Sequence, residues 1–219
     1  MTPRPILPAL AAALACLAMP AMAADVSDLL PPEREAWLIR AETMLDASAR
    51  AAEGADPLLA PMLLCEERGC ERAGWQSLNT NEAGRLRHLF TEAGNAADER
   101  HRIGKAIALL ETAMGARNGT WRDHPANERE SETEAGQMDC IAESINTQTY
   151  LDRLFLAGLV RHHQPGGFIH RYTVVLQHVA VQIVETESQD RYAVDSWVGA
   201  NGDEPDILPY GDWRWEWGV

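Results

Sequence analysis

Positive charge is scarce in this sequence: 19 lysines and arginines stand against 33 aspartates and glutamates, a net charge of −14. A surface of that sign repels the phosphate backbone of nucleic acids and the anionic faces of membranes, so neither is expected as a partner. Long apolar runs are missing past the N-terminal leader, and nothing later is apolar enough to cross a bilayer as a helix, so no membrane insertion is expected. No internal repeat and no low-complexity tract interrupts the chain, which argues against solenoids and unstructured linkers. Metal-ligand spacing is also lacking. His162 and His163 are adjacent, point different ways on an extended segment and have no third ligand at a usual distance, so no metal and no cofactor is expected.

The leader carries the three-part pattern of a secretory signal peptide. Met1 to Pro5 hold the single base Arg4, Ile6 to Met19 form an apolar run, and Ala21-Met22-Ala23 offers small residues where a signal peptidase reads. The run falls short of the ~20 residues of a spanning helix. Cys16 leaves with the leader rather than carrying a lipid, because Ala13 stands where lipoprotein signals use leucine. Cleavage after Ala23 and a periplasmic or secreted location are the expectation, and the acidic balance then reads as solubility.

Cysteine is sparse, and its placement is informative. Cys65-Glu66-Glu67-Arg68-Gly69-Cys70 can close a small disulfide loop around the flexible Gly69, which an oxidising compartment favours. Cys140 is left over. By counting alone it is either a buried apolar residue or a reactive thiol.

Patterning divides the remainder into an N-terminal helical region (24–118), an acidic loop (119–137) and a C-terminal core (138–219), packed together as one compact domain. Helices are expected over 31–52, 81–93 and 96–116; in the last, Ile103, Ile107, Leu110 and Met114 form one apolar stripe. Asp56 to Leu64 reads as a short apolar stretch of helical character. Residues 118–137, with Asp123, Glu128, Glu130, Glu132 and Glu134, lose all apolar period and read as a long loop. A helix follows over 139–157, then a break at Pro165-Gly166-Gly167, a long strand over 171–185 and a second strand over 191–198. The tail alternates Trp213, Trp215 and Trp217, which suits an edge strand or a carbohydrate-facing surface.

A nucleophilic thiol needs help to ionise, a base, and a group that orients the base. Cys140 opens a helix, where backbone N–H groups favour a thiolate, although Asp139 works against this unless it caps the helix. His178 sits in the long strand and Asp195 in the next. A four-residue connection over Thr186 to Gln189 makes facing residues sum to 375. Asp195 then faces Ala180 and His178 lies diagonally one pair along, on the same face.

The pieces Asp139-Cys140, His178-Val179-Ala180-Val181 and Tyr192-Ala193-Val194-Asp195-Ser196-Trp197 resemble the transglutaminase-like superfamily, in particular its bacterial cysteine proteinases. The resemblance covers Gly136 to about Trp197. It implies an α+β, papain-like core in which the Cys helix packs on an antiparallel sheet. It also implies acyl transfer through a thioester, with Cys140 attacking, His178 acting as base then acid, and Asp195 holding the imidazole. Those proteinases carry acids directly after the cysteine, and some bind calcium there. Here Ile141-Ala142-Glu143 stand instead, which argues against calcium. The Asn146-Thr147-Gln148-Thr149-Tyr150 run is similar instead to that of a group of exported proteins sharing the Asn-Thr and Asp-Ser-Trp signatures. Gln137 is a candidate oxyanion donor just upstream of the cysteine, and Trp197 a candidate cover for the site or a core residue. The expected function is that of an exported thiol hydrolase, a cysteine peptidase or amidase with a protein or peptide substrate. The alternative is a non-catalytic periplasmic binding module that keeps the fold.

Overall fold

The computed structural model describes residues 32–91, 94–126, 134–172 and 177–215; the leader, the loop acids Glu128, Glu130 and Glu132, the expected strand residues Val174 to Leu176, and Trp217 lie outside them. The element order is α1 (Pro32–Ala51), β1 (Met62–Cys65), β2 (Ala73–Gln76), α2 (Thr80–Leu89), α3 (Ala96–Asn118), α4 (Cys140–Leu156), β3 (His163–Tyr172), β4 (Gln177–Glu185), β5 (Arg191–Asp195), β6 (Asp206–Pro209) and α5 (Tyr210–Trp215). The class is α+β. β1 and β2 pair as a two-stranded antiparallel ladder, and β3-β4-β5-β6 form a four-stranded antiparallel sheet in sequence order.

Local signals account for the helix boundaries. Asn79 accepts from the Asn81 and Glu82 N–H groups while Glu82 reaches back to the Asn79 N–H, a reciprocal cap that starts α2. Asn95 caps α3, and Gly119 ends it in the left-handed conformation (φ 94°). The α3 stripe of Ile103, Ile107, Leu110 and Met114 is fully buried against Tyr150, Leu151 and Leu154 of α4 and Val181, Ile183 and Val194 of the sheet. Trp37, Ala41 and Met44 of α1 close the other end of α4 around Met138, Ala142 and Ile145. Val179, Val181 and Ile183 therefore face the helices. Ala180 and Ala193 face the opposite side with Ile169 and Trp213, the period-two alternation of a sheet covered on both faces.

Four expectations are corrected. The stretch over 56–64 is not helical at its end: Met62 to Cys65 is a strand, and Ala73 to Gln76 pairs with it. Pro165-Gly166-Gly167 does not interrupt the structure but forms a bulge inside β3. A Cβ on Gly166 would lie 2.3 Å from the Gln182 side chain, so this crossing requires glycine. The long strand expected over 171–185 divides: Arg171 and Tyr172 end β3, and β4 begins at Gln177. Tyr210–Trp215 of the tryptophan-rich tail is helical, not an edge strand. Trp213 is buried (1% exposed) and Trp215 is exposed (67%), because residues two apart lie on opposite sides of a helix.

Cys65 and Cys70 are bonded to each other, and Cys140 is free. Gly69 and Cys70 both hold left-handed backbone (φ 58° and 56°) in the turn between them. Such a conformation disfavours a residue with a Cβ by roughly 1–2 kcal/mol, so Cys70 persists there because the short loop is cross-linked.

Candidate active site

The start of α4 is held from two directions. Asp139 caps it, Oδ1 accepting from the Ala142 N–H at 2.9 Å, while its Oδ2 accepts from the Gly69 N–H at 2.9 Å. The disulfide loop is thereby docked on the residue preceding Cys140. Arg40 donates to the Gly69 carbonyl from the other side. About two turns along, Asn146 grips the backbone of Cys65, Oδ1 accepting from its N–H at 2.7 Å and Nδ2 donating to its carbonyl at 3.0 Å. The buried polar run that begins at Asn146 thus has a structural reason. Thr147 bonds Ser196 at 2.9 Å, so Asn146 and Thr147 stitch α4 to β1 and to the segment after β5, while Gln148 donates to Asp152 at 2.8 Å and Thr149 to the Ile145 carbonyl at 2.9 Å within the helix.

The β4–β5 register has the facing sum of 375, Val181 pairing Val194 and Ile183 pairing Tyr192. One pair further along, Asp195 stands across from Ala180, and His178 reaches it diagonally: His178 Nε2 and Asp195 Oδ2 are 2.5 Å apart, both residues buried. His178 Nδ1 is buried without a hydrogen-bond partner among the described residues. The Cys140 thiol meets the same strand along its backbone, donating to the Gln177 carbonyl at 4.0 Å and taking a hydrogen bond from the Val179 N–H. These two groups flank His178 in the chain. The thiol thus meets the start of β4 along its backbone, with no bond to the imidazole among those described, while His178 and Asp195 pair on the sheet face that Ala180 and Ala193 share with Trp213.

Burial pushes the Cys140 thiol up to about 12; the Val179 N–H offsets part of this, and the charges of Asp139 and Asp195 add to it. The expected gain from the helix start is outweighed by desolvation. At neutral pH the thiol is protonated, and any attack by its sulfur needs a base to take the proton as bonding begins.

Trp197 packs on the His178 ring, centroids 4.8 Å apart and planes tilted by 42°. Trp213 covers the ring at 5.8 Å, and its Nε1–H donates to Asp195 Oδ2 at 2.7 Å. Sequence reasoning passed over Trp213; the available signal was that a buried carboxylate has more lone pairs than one histidine can satisfy. Gln137 is engaged elsewhere. Its Nε2 donates to the Arg122 carbonyl at 2.5 Å and its Oε1 accepts from the His124 N–H at 3.2 Å, so the carboxamide ties down the preceding loop and is not poised as an oxyanion donor. His163 belongs to a separate buried pair, Nδ1 lying 2.8 Å from Glu99 Oε1.

Three carboxyl groups lie buried beneath the loops that lead into and out of the site. Asp123 Oδ1 accepts from the Met138 N–H at 2.7 Å, Glu111 Oε2 accepts from the Gly202 N–H at 3.0 Å, and Glu143 lies one turn beyond Cys140. Burial raises all three. Glu111 rises to about 8 despite bonds from Gly202 and Ser196, Asp123 rises to about 6, and Glu143 goes well above the usual range through burial and the neighbouring Glu111 and Asp123. Glu143 is therefore a neutral acid that donates to Asp123. The folded pKa values exceed the unfolded ones, so the folded state holds extra protons. Stability from these groups is present below about pH 4.5 and is lost as pH rises toward about 8. Glu143→Gln keeps a donor for Asp123 and removes one titration. The variant should match the parent at pH 5 and exceed its denaturation free energy at pH 8.5. Equal slopes of stability against pH in the two proteins would contradict the assignment.

No family model, curated protein or solved structure matches this chain.

Proposed function

We propose that the chain is an exported thiol hydrolase, a peptidase or amidase, in which Cys140 attacks the carbonyl carbon of an amide. The observation that carries the reading is the buried His178–Asp195 pair, with His178 Nδ1 unpartnered among the described residues and the free Cys140 thiol bonded to the Gln177 carbonyl, the neighbour of His178 in the strand. The α4-on-sheet arrangement supports a transglutaminase-like, papain-like core as its setting. Residues 1–23 and the Cys65–Cys70 bond support export to an oxidising compartment.

Each group then has a role. Asp195 accepts the Nε2 proton and fixes the imidazole tautomer, which leaves Nδ1 as the basic nitrogen. Nδ1 takes the thiol proton while sulfur bonds to the carbonyl carbon, because a thiol raised to about 12 does not ionise beforehand. Cys140 stands at the N-terminus of α4, where developing oxyanion charge is met by the helix end. His178 returns the proton to the leaving amine and the C–N bond breaks, giving a thioester. Water then loses a proton to His178, adds to the thioester, and releases the acid and the thiol.

The raised thiol and its bond to the Gln177 carbonyl favour a second reading, a binding module with an inert cysteine. Alkylation by iodoacetamide between pH 5 and 9 separates the two. The enzyme reading expects Cys140 to react at neutral pH and His178→Ala to slow it by about a hundredfold or more. A Cys140 that reacts equally slowly with and without His178 would leave only the binding module.

A further inference from the structure

We infer that Trp213 is a positioning residue of this site, fixing through its indole N–H the carboxylate oxygen that Asp195 presents to His178. The inference rests on the catalytic reading above and extends it to α5.

Asp195 Oδ2 is shared. It lies 2.5 Å from His178 Nε2 and accepts from Trp213 Nε1 at 2.7 Å, while Oδ1 is buried without a partner among the described residues. A carboxylate tied to the imidazole alone can turn about its Cβ–Cγ bond and exchange its two oxygens. A second donor on Oδ2 removes that freedom, since turning would break both bonds at once. The indole is a rigid donor, and its own placement is determined: the side chain is buried, packed among Ile169, Ala180 and Ala193. Its backbone carbonyl accepts from Arg171 Nη1 at 2.8 Å, and the guanidinium carbon lies 5.0 Å from the ring centre. Arg171 is in turn the cross-strand partner of His178 in the β3–β4 ladder, and directly facing residues share a sheet face. Arg171, Trp213, Asp195 and His178 thus close a ring of contacts that begins and ends on one strand pair. Trp197 stacks on the imidazole without a bond to Asp195 among those described, so its contribution is shielding.

The position of the His178 Nε2 proton tests this independently of activity. In the parent protein that proton should give a low-field signal in NMR, which Trp213→Phe should shift or broaden. The same variant should slow Cys140 alkylation at neutral pH by about tenfold in the parent background and by less than about twofold in Asp195→Ala, where nothing remains to be positioned. A purely structural role would slow both backgrounds alike and would overturn the inference, as would an unchanged His178 signal. A sulfur isostere of indole at position 213 keeps the ring volume and lacks the N–H, so it gives the same reading if the phenylalanine variant does not fold. A shifted His178 signal on a protein whose Cys140 is inert would sink the hydrolase reading and leave the positioning intact.

Discussion

Cys140→Ala is expected to abolish turnover, by at least about a thousandfold on any peptide or protein found to be cleaved, while stability changes by about 1 kcal/mol or less. The thiol sulfur has no chemical substitute within the site. Its loss from the fold is slight, because alanine removes a single atom whose bond to the Gln177 carbonyl is long, at 4.0 Å. Alanine is also well suited to a helix start already capped by Asp139. The measurement is hydrolysis of extracted exported protein, followed by mass spectrometry, alongside chemical denaturation of both forms. An activity or cellular effect that survives the substitution intact would show that the protein works by binding, and the gathered cysteine, histidine and aspartate would then serve the fold.

The largest loss of stability is expected at Glu99, far from this chemistry. Its carboxylate is fully buried and accepts three hydrogen bonds: from the Arg161 N–H at 2.7 Å, the His162 N–H at 2.9 Å and His163 Nδ1 at 2.8 Å. Arg100 from the same turn of α3 donates to Glu185 at 2.7 Å and lies 3.2 Å from His163 Nε2. This set latches the start of β3 to α3. Burial pushes Glu99 up, but the bonds from His163, Arg161 and His162 together outweigh it and hold the group below the usual carboxylate range. A depressed folded value means that the contribution is present above the unfolded value and is lost as pH falls through the folded one. Glu99→Ala leaves two backbone donors and a histidine unpartnered, at a cost of about 3–5 kcal/mol at neutral pH. Denaturant unfolding at pH 7 checks the size, and the deficit should shrink on acidification below pH 4. A loss under about 1 kcal/mol would mean that water replaces the carboxylate.

Most of the frame around the site was legible. The α3 stripe was visible because four apolar residues recur at helical spacing, and the hairpin register followed from parity and a short turn. The disulfide was expected from the spacing of Cys65 and Cys70 and from the expectation of export. What escaped notice shares one cause: short elements are decided by tertiary contacts rather than by local pattern. β1 and β2 are four residues each, and the backbone of Cys65 is held by Asn146 from 81 positions away. In β3, Pro165-Gly166-Gly167 looks like a break because the tight approach of Gln182 cannot be seen in sequence. The tryptophans of the tail alternate as in a strand, yet Trp213 lies on a helix, where its indole meets the hydrogen-bonding demand of Asp195 while Trp215 stays exposed. The thiol's raised pKa was hidden too. A helix start suggests ionisation, and only the packing around it reveals the desolvation that wins.

The four-stranded sheet runs in strict chain order, each strand pairing with the next. The entropy of closing a loop grows with the length enclosed. His178, Asp195 and the Trp213 indole are all delivered by this local winding, the first two by adjacent strands and Trp213 by the turn of helix directly after β6. The Cys140 thiol arrives by another route, on a helix anchored to β1 by Asn146 and to the disulfide loop by Asp139. The two halves therefore have separate entropic costs: short loop closures bring together imidazole, carboxylate and indole, whereas long-range docking brings in the sulfur.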